Sequence, residues 1–464
     1  MAELRSAAPI STTTTTPRET PRETPRDSTA PIEQGVLFPA NPEGKRSSMA
    51  AGVAIWAAAA EAADPALAAA IRGERNFRAN YAQHLVALAE VCNASDAKAL
   101  AVAQAGLSAI SGAFEFVRDG KSSTMADAMK APSEPRVIRS ARIEGTGTPL
   151  DALEVPYLRK QLTGNQLWAQ ARDWMAYGCM AEGAEKAIRA VAETPAWLDL
   201  RGRCFLVLGA SSALGPLRTL LQCGATVLAV ARGRADTWRD LIGFTRGTAG
   251  TLLVPVRGDA PTDETDESLA GRAGADLMVE APEIAAWAMA EAAVLGLPLT
   301  VGAYTYLDSD AHVRVNVACD AIVQHLVAAS SSGSLPVQLS LAYLQTPSIV
   351  YAIPQSDHSS STELFHRTML KYLGYPPNAR PPVTTDAGKQ RYVHDGLLNL
   401  QGPNYALAKT MQLWRAILAR NRDGIPTSMN IAPVRHPTTP PTHHIHPRHP
   451  THRTHRTHPI HPPH

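Results

Sequence analysis

GRCFLVLGASSALG, residues Gly202 to Gly215, runs from an apolar burst (Cys204 to Leu208) into Gly209, small residues that include Ser211 and Ser212, Gly215, and then a helix-like stretch. This is the pattern of a strand, a tight glycine turn and a helix beginning near Ala213. Glycine suits such a turn because the backbone there takes positive φ or approaches a ligand closely. A helix start offers unpaired N–H groups and a positive dipole end to a pyrophosphate. Dinucleotide binding is therefore the first expectation.

Working outward from Arg201, strand-like and helix-like segments alternate. Candidate strands are Cys204–Leu208, Thr226–Ala231, Thr251–Val256, Asp276–Val279, Leu299–Val301 and Val337–Tyr343. Candidate helices are Ala213–Gln222, Thr237–Phe244, Ile284–Leu295 and Val315–Ala329, with Asn404–Arg420 near the end. Such alternation predicts an α/β fold, a Rossmann-like doubly wound parallel sheet with helices on both faces.

Before this unit, residues 48–197 read as mainly helical. Apolar residues recur at three- and four-residue spacing through Tyr81–Leu88 and Leu100–Phe116, Asn93 to Asp96 reads as a break with an N-cap, and Gly164–Ala192 is again helical. Val137–Ile143 alternates like a strand. Residues 1–47, with a threonine run and a PRET repeat, and 431–464, rich in His, Pro and Thr, are expected to be disordered. The tail from Pro433 holds ten of the sixteen histidines, but its prolines argue against a fixed metal geometry.

Composition narrows the classes. With 464 residues and 45% hydrophobic content the chain can bury a large core. A net charge of +2, without a central basic cluster, does not suggest nucleic-acid binding. The five cysteines are scattered, with no CxxC pair, which fits a reducing compartment such as the cytoplasm rather than disulfides or a zinc site. Ala50–Ile71 and Ile284–Tyr304 are apolar but interrupted by acidic residues and proline, so they read as buried helix, or helix plus strand, rather than membrane spans. The N-terminus has no apolar signal core.

Leu198 to Arg203 followed by LVLGASSALG resembles the opening strand and turn of the short-chain dehydrogenase/reductases. That family enters with D-L-x-G-K/R and turns on T-G-x-x-x-G-x-G. Gly209 and Gly215 match the outer glycines, Leu208 stands at the Thr, and Ala213 stands at the middle Gly. The likeness spans about thirty residues, through Gly224-Ala225-Thr226-Val227, and fades after Asp259. It implies an NAD(P) site at Gly209, Ser211, Ser212 and Gly215. Arg232, with Arg234, follows the second strand where an acid would select NAD and an arginine would meet the 2′-phosphate of NADP. NADP is thus the expected cofactor, with NAD possible. Asp259 follows the third strand, where the family often has an acid near the adenine.

The resemblance also implies a catalytic Tyr-x-x-x-Lys pair. Tyr405 and Lys409, four apart, share a helix face. In the family the Lys lowers the phenol pKa and holds the ribose, while the Tyr exchanges a proton with the substrate oxygen. The pair lies 196 residues after Gly209, and Tyr392 stands about thirteen residues before Tyr405, where the family has its carbonyl-polarising Ser. Tyr304, Tyr306, Asp308, Asp310, His312 and Arg314 cluster after the fifth candidate strand, where substrate would bind. Glu280 and Glu283 follow the fourth. The expected activity is NAD(P)-dependent oxidation or reduction of a small-molecule alcohol or carbonyl. The alternative is a non-catalytic nucleotide-binding or scaffold protein. A third option, a membrane-associated protein, would use Ile284–Tyr304.

Overall fold

Seven strands form the central sheet in the computed structural model, which describes residues 33–130, 137–259, 261–398 and 401–431. In chain order they are β1 (Arg139–Glu144), β2 (Cys204–Leu208), β3 (Thr226–Val230), β4 (Thr251–Val256), β5 (Leu299–Ala303), β6 (Leu339–Gln345) and β7 (Thr427–Ile431). Their spatial order is β7-β6-β5-β2-β3-β4-β1. All neighbours are parallel except β1, which runs antiparallel to β4 at one edge. Except for β1, the chain builds outward from β2 to β4, returns to the middle, and builds the other way from β5 to β7. The reversal falls between β2 and β5, whose last residues, Leu208 and Ala303, are paired. The loops leaving these two ends turn to opposite sides, and open α/β sheets bind ligands in the crevice so formed.

Alternation along the strands puts a core on each face. Cys204, Leu206 and Leu208 of β2 face one side with Leu228 and Val230 of β3. Val207, Val227, Ala229, Leu252 and Val254 face the other and pack under Trp238 and Leu241. Full burial of each such leucine or valine contributes roughly 1.5–3 kcal/mol.

The predicted helical N-terminal region is present, as α1 (Ser48–Glu61), α2 (Pro65–Gly73), α3 (Phe77–Ala94) and α4 (Asp96–Ala113). Asp64 caps α2, accepting from the Leu67 N–H at 3.0 Å, with Pro65 as the first helical residue. These helices share one core with a face of the sheet: Trp56, Ile110, Leu206 and Trp414 belong to a single buried cluster. Two further helices, α5 (Ser309–Ser331) and α6 (Gly402–Asn421), join them to the sheet. Arg415 of α6 grips Asp320 of α5 through two bonds, at 2.7 and 2.8 Å. The α4 backbone comes so close to α6 that a Cβ on Gly106 would lie 2.3 Å from the Trp414 ring.

Several local expectations are corrected. Asp276–Val279 is a turn rather than a strand: the Asp276 carboxylate accepts from the Met278 N–H at 2.9 Å, and its carbonyl accepts from Glu280 at 2.8 Å. The helical pattern ends at Ala113. Glu115–Arg118 and Lys121–Thr124 then form a hairpin on Asp119-Gly120, both at positive φ. Structure begins ahead of residue 48: Gly35–Leu37 pairs with Glu115–Val117, and Phe38 is buried. Residues 1–32 and the histidine-rich tail after 431 lie outside the described residues. Ala50–Ile71 resolves into α1 and α2, and Ile284–Tyr304 into a buried helix plus β5. Among the described residues no helix is long and apolar enough to cross a membrane, and no cluster of metal-ligating side chains occurs.

Candidate functional site

Gly209 opens the crevice. It has φ +89°, and a Cβ there would lie 3.0 Å from the Thr305 backbone nitrogen. The β2 and β5 loops therefore touch at this point because the residue has no side chain. Beyond it lies a cleft of about 600 Å³ lined by Gly209, Ser211, Ser212, Leu214, Arg232, Asp276 and Thr305, among others. That volume is in the range of small-molecule sites.

The helix after the turn differs from expectation. It starts at Leu217, not near Ala213, and is six residues long. Pro216 disfavours helical backbone in Gly215 and brings no N–H. Within the turn, Gly209 and Ala210 donate to the Val230 carbonyl, Ser212 to Gly209, and Gly215 to Ser212. An anion at this turn would meet the Ser211 and Ser212 hydroxyls and the Ala213 and Leu214 amides rather than a long helix dipole. Gly215 shapes the turn without lining the cleft.

Arg232 leaves the end of β3 exposed and lines the cleft. It also lines an adjoining open pocket with Arg234, Arg257 and Arg272. Arg257 pairs with Glu280 and Arg272 with Glu264, whereas Arg232 and Arg234 make no ion pair among the described residues. Their charge is therefore available to an anion. Asp259 is a different case. Its carboxylate, 85% exposed, pairs with Arg139 at 2.5 Å on the sheet edge and lines neither pocket. Asp276, overlooked as part of a supposed strand, is the acid at the cleft.

Tyr405 and Lys409 lie in the first turns of α6, which connects to β7 after β6. They line a smaller pocket of about 240 Å³ together with Ser212, Leu214, Thr305 and Tyr306, four residues that also line the cleft. The long interval from Gly209 has a structural cause. Residues 346–401 insert an antiparallel sheet (Val350–Ile353, Gln390–Asp395, Val383–Thr384) and helix Gln355–Arg367 between β6 and α6. Thr346 and Ser348, immediately after β6, line the same pocket as Tyr405. A fixed sequence offset could not find them; the end of a strand predicted as Val337–Tyr343 could have.

Burial holds the Tyr405 phenol above its ordinary value, and the Thr346 hydroxyl draws it partly back. No hydrogen bond joins Tyr405 and Lys409 among the described residues. The Lys409 ammonium instead donates to the Leu344 carbonyl at 2.9 Å and to Gln412 at 3.3 Å. Burial lowers its pKa to about 8. Gln412 donates to Asn316 at 2.6 Å, and Asn316 donates to the His312 carbonyl at 2.7 Å. The His312 ring stacks on Tyr405 with centroids 5.3 Å apart. Among the other loop residues, Tyr306 lines both pockets, Arg314 donates to the Val36 carbonyl at 2.6 Å, and Glu283 pairs with Arg118 at 2.7 Å. The last two are structural ties.

His312 is 1% exposed, and burial, aided by Lys409, lowers its pKa to about 4. Between its unfolded value near 6.5 and 4, only the unfolded chain takes up this proton. Its contribution is thus complete above about 6.5 and is lost as pH falls towards 4. Relative to a His312→Phe variant, which keeps a ring on Tyr405, the wild type is expected to lose up to roughly 3 kcal/mol over that window. Urea unfolding at pH 7, 5.5 and 4 measures this, and parallel losses in both proteins would refute it.

No family model, curated protein or solved structure matches the chain.

Proposed function

We propose that this protein is an NADP-dependent oxidoreductase of the short-chain reductase type, acting on a small carbonyl or alcohol. The observation that carries the reading is the junction of two pockets: Tyr405 and Lys409 share Ser212, Leu214, Thr305 and Tyr306 with the glycine-turn cleft. The strand order from β4 through β2 to β7 is the one that dinucleotide-binding sheets use, with the cleft at the switch point. The residues fit the cofactor: Gly209, Ser211 and Ser212 line the cleft, and Arg232, with no ion pair among the described residues, stands at the ribose-phosphate end.

Bound there, the nicotinamide would supply or accept hydride. The chain's own residues do the rest. Ser211 and Ser212 would hold the pyrophosphate, and Arg232 with Arg234 the 2′-phosphate. Ser348 and Thr346 hydroxyls would orient and polarise the substrate oxygen, and Tyr405 Oη would exchange a proton with it. Lys409 keeps positive charge beneath this site and anchors the β6 end through Leu344. The cytoplasm is the compartment we propose, since all five cysteines, being free, need no oxidising environment.

The spent turn amides and the six-residue helix favour a second reading, a nucleotide-binding or scaffold protein without catalysis. Titration of the full chain with NADPH and NADH, followed by nicotinamide fluorescence, separates them. Saturable binding with NADPH preferred is expected. Arg232→Ala should weaken NADPH about tenfold or more and leave NADH nearly unchanged, because a charge-assisted bond contributes about 1.5–3 kcal/mol. Absence of saturable binding to either nucleotide would overturn the oxidoreductase reading.

A further inference from the structure

The insertion between β6 and α6 carries an apolar segment that the fold leaves uncovered. Helix Gln355–Arg367 and the short 3₁₀ helix Met369–Leu373 that follows it bury none of their residues. Leu364, Met369, Leu370, Tyr372, Leu373 and Tyr375 are between 45% and 74% exposed. Backbone bonds fix their display: the Thr368 N–H donates to the Phe365 carbonyl and the Tyr375 N–H to that of Leu370. Residues three apart line up in a 3₁₀ turn, which sets Met369 with Tyr372 and Leu370 with Leu373. A Cβ on Gly178 would lie 3.3 Å from Leu364 Cδ1, so the exposed Tyr177 adjoins the same patch. Single exposed apolar side chains are ordinary, but a contiguous group marks an interaction surface.

The surrounding charge identifies the partner. Between Glu363 and Asp386 the chain has no acidic residue. Arg380 is taken by Glu90 at 3.5 Å, whereas Arg367 and Lys371, inside the patch, make no ion pair among the described residues. The Lys371 ammonium donates to the His366 carbonyl and lies over the Tyr372 ring, 4.9 Å from its centroid. We infer that this segment docks the protein onto an anionic lipid surface, its apolar side chains entering the headgroup boundary and Arg367 and Lys371 meeting the anionic headgroups. Aliphatic side chains flanked by tyrosine and basic groups suit that interface. A second copy is a poor occupant, because a two-fold contact would set Arg367 and Lys371 against themselves with no acid in the segment to pair them. The chain's own residues 432–464 are equally unsuited, with four arginines and no acid. Protein partners seat anchors in pockets, and none of the six apolar residues lines the cavities described above.

Co-sedimentation of the full chain with vesicles tests this. Vesicles of equal parts phosphatidylcholine and phosphatidylserine are expected to bind the protein at least tenfold more tightly than phosphatidylcholine alone. Met369→Ser combined with Leu373→Ser removes apolar surface without changing charge, and should weaken binding to the mixed vesicles at least tenfold. Arg367→Gln combined with Lys371→Gln, which keeps every apolar side chain, should lower it by a similar factor. Circular dichroism checks that each variant is folded, and the charge pair serves as the test should the serine pair fail to fold. No binding to the mixed vesicles would overturn the proposal. So would binding that survives both variants, which would assign it to the arginines beyond residue 431. A dimer by light scattering that the serine pair dissociates, without vesicle binding, would make a second copy the occupant and likewise overturn it. NADPH affinity measured on the same proteins reports on the nucleotide reading independently.

Discussion

Replacing Lys409 with Met is expected to make the protein more stable at neutral pH while cutting turnover at least a hundredfold. Lys409 is 9% exposed, and burial lowers its pKa from 10.5 to about 8. At pH 7 the ammonium is still charged in both states, so folding has to desolvate it. The cost implied by such a shift is roughly 3 kcal/mol. Methionine of similar length removes that cost but leaves the Leu344 carbonyl and Gln412 without their donor, which returns about 1–2 kcal/mol. The net gain is then on the order of 1–2 kcal/mol. Above pH 8 the folded protein sheds this proton before the unfolded chain does, so wild-type stability rises with pH relative to the variant. The difference should shrink above pH 8 and reverse before pH 10.5. Urea unfolding of both proteins at pH 7, 8.5 and 10 tests this. A variant less stable at every pH would mean that the Leu344 and Gln412 bonds outweigh desolvation. A more stable but inactive variant would mark Lys409 as retained for chemistry, in line with the tendency of perturbed groups to collect at functional sites.

Gly209→Ala should do the opposite, lowering both stability and nucleotide affinity. Alanine at φ +89° is strained by about 1–2 kcal/mol. Its Cβ would also meet Thr305 backbone atoms at 3.0 and 3.1 Å, which cannot rotate away like a side-chain tip. Together these effects cost roughly 3 kcal/mol and push the β2 and β5 loops apart at the floor of the cleft. NADPH binding is expected to fall at least tenfold. Gly215→Ala is the internal comparison. Gly215 is outside the positive-φ set, and its added Cβ would meet Ser212 O at a milder 3.2 Å. That variant should lose no more than about 1 kcal/mol. Equal stability and affinity in Gly209→Ala and the wild type would dismiss the close-approach account.

The parallel sheet was legible because its strands are short apolar runs of fixed period. Five of the six candidates between Cys204 and Tyr343 are strands, with ends displaced by at most two residues. The exception, Asp276–Val279, is an apolar run whose first side chain caps its own turn, a contact that periodicity does not register. The cleft residues Gly209, Ser211, Ser212 and Arg232 could be read from the sequence because they sit one loop away from a strand end. Asp259 also follows a strand end, but it lines neither pocket and pairs with Arg139 of the edge strand.

The chemistry around Tyr405 was less accessible. A helix face showed that Tyr405 and Lys409 are neighbours, but not that Lys409 turns to the end of β6, nor that His312 stacks beneath the phenol. Thr346 and Ser348 lie far from Tyr405 in sequence, and only the fold brings them to its pocket. By itself the sequence determined the alternation of strand and helix, the glycine turn and the positive residues after β3, all encoded by residues within one element or its adjoining loop. Only the tertiary structure decided which polar groups are buried together and which are paired, because desolvation and hydrogen bonding depend on partners up to hundreds of residues apart in the chain.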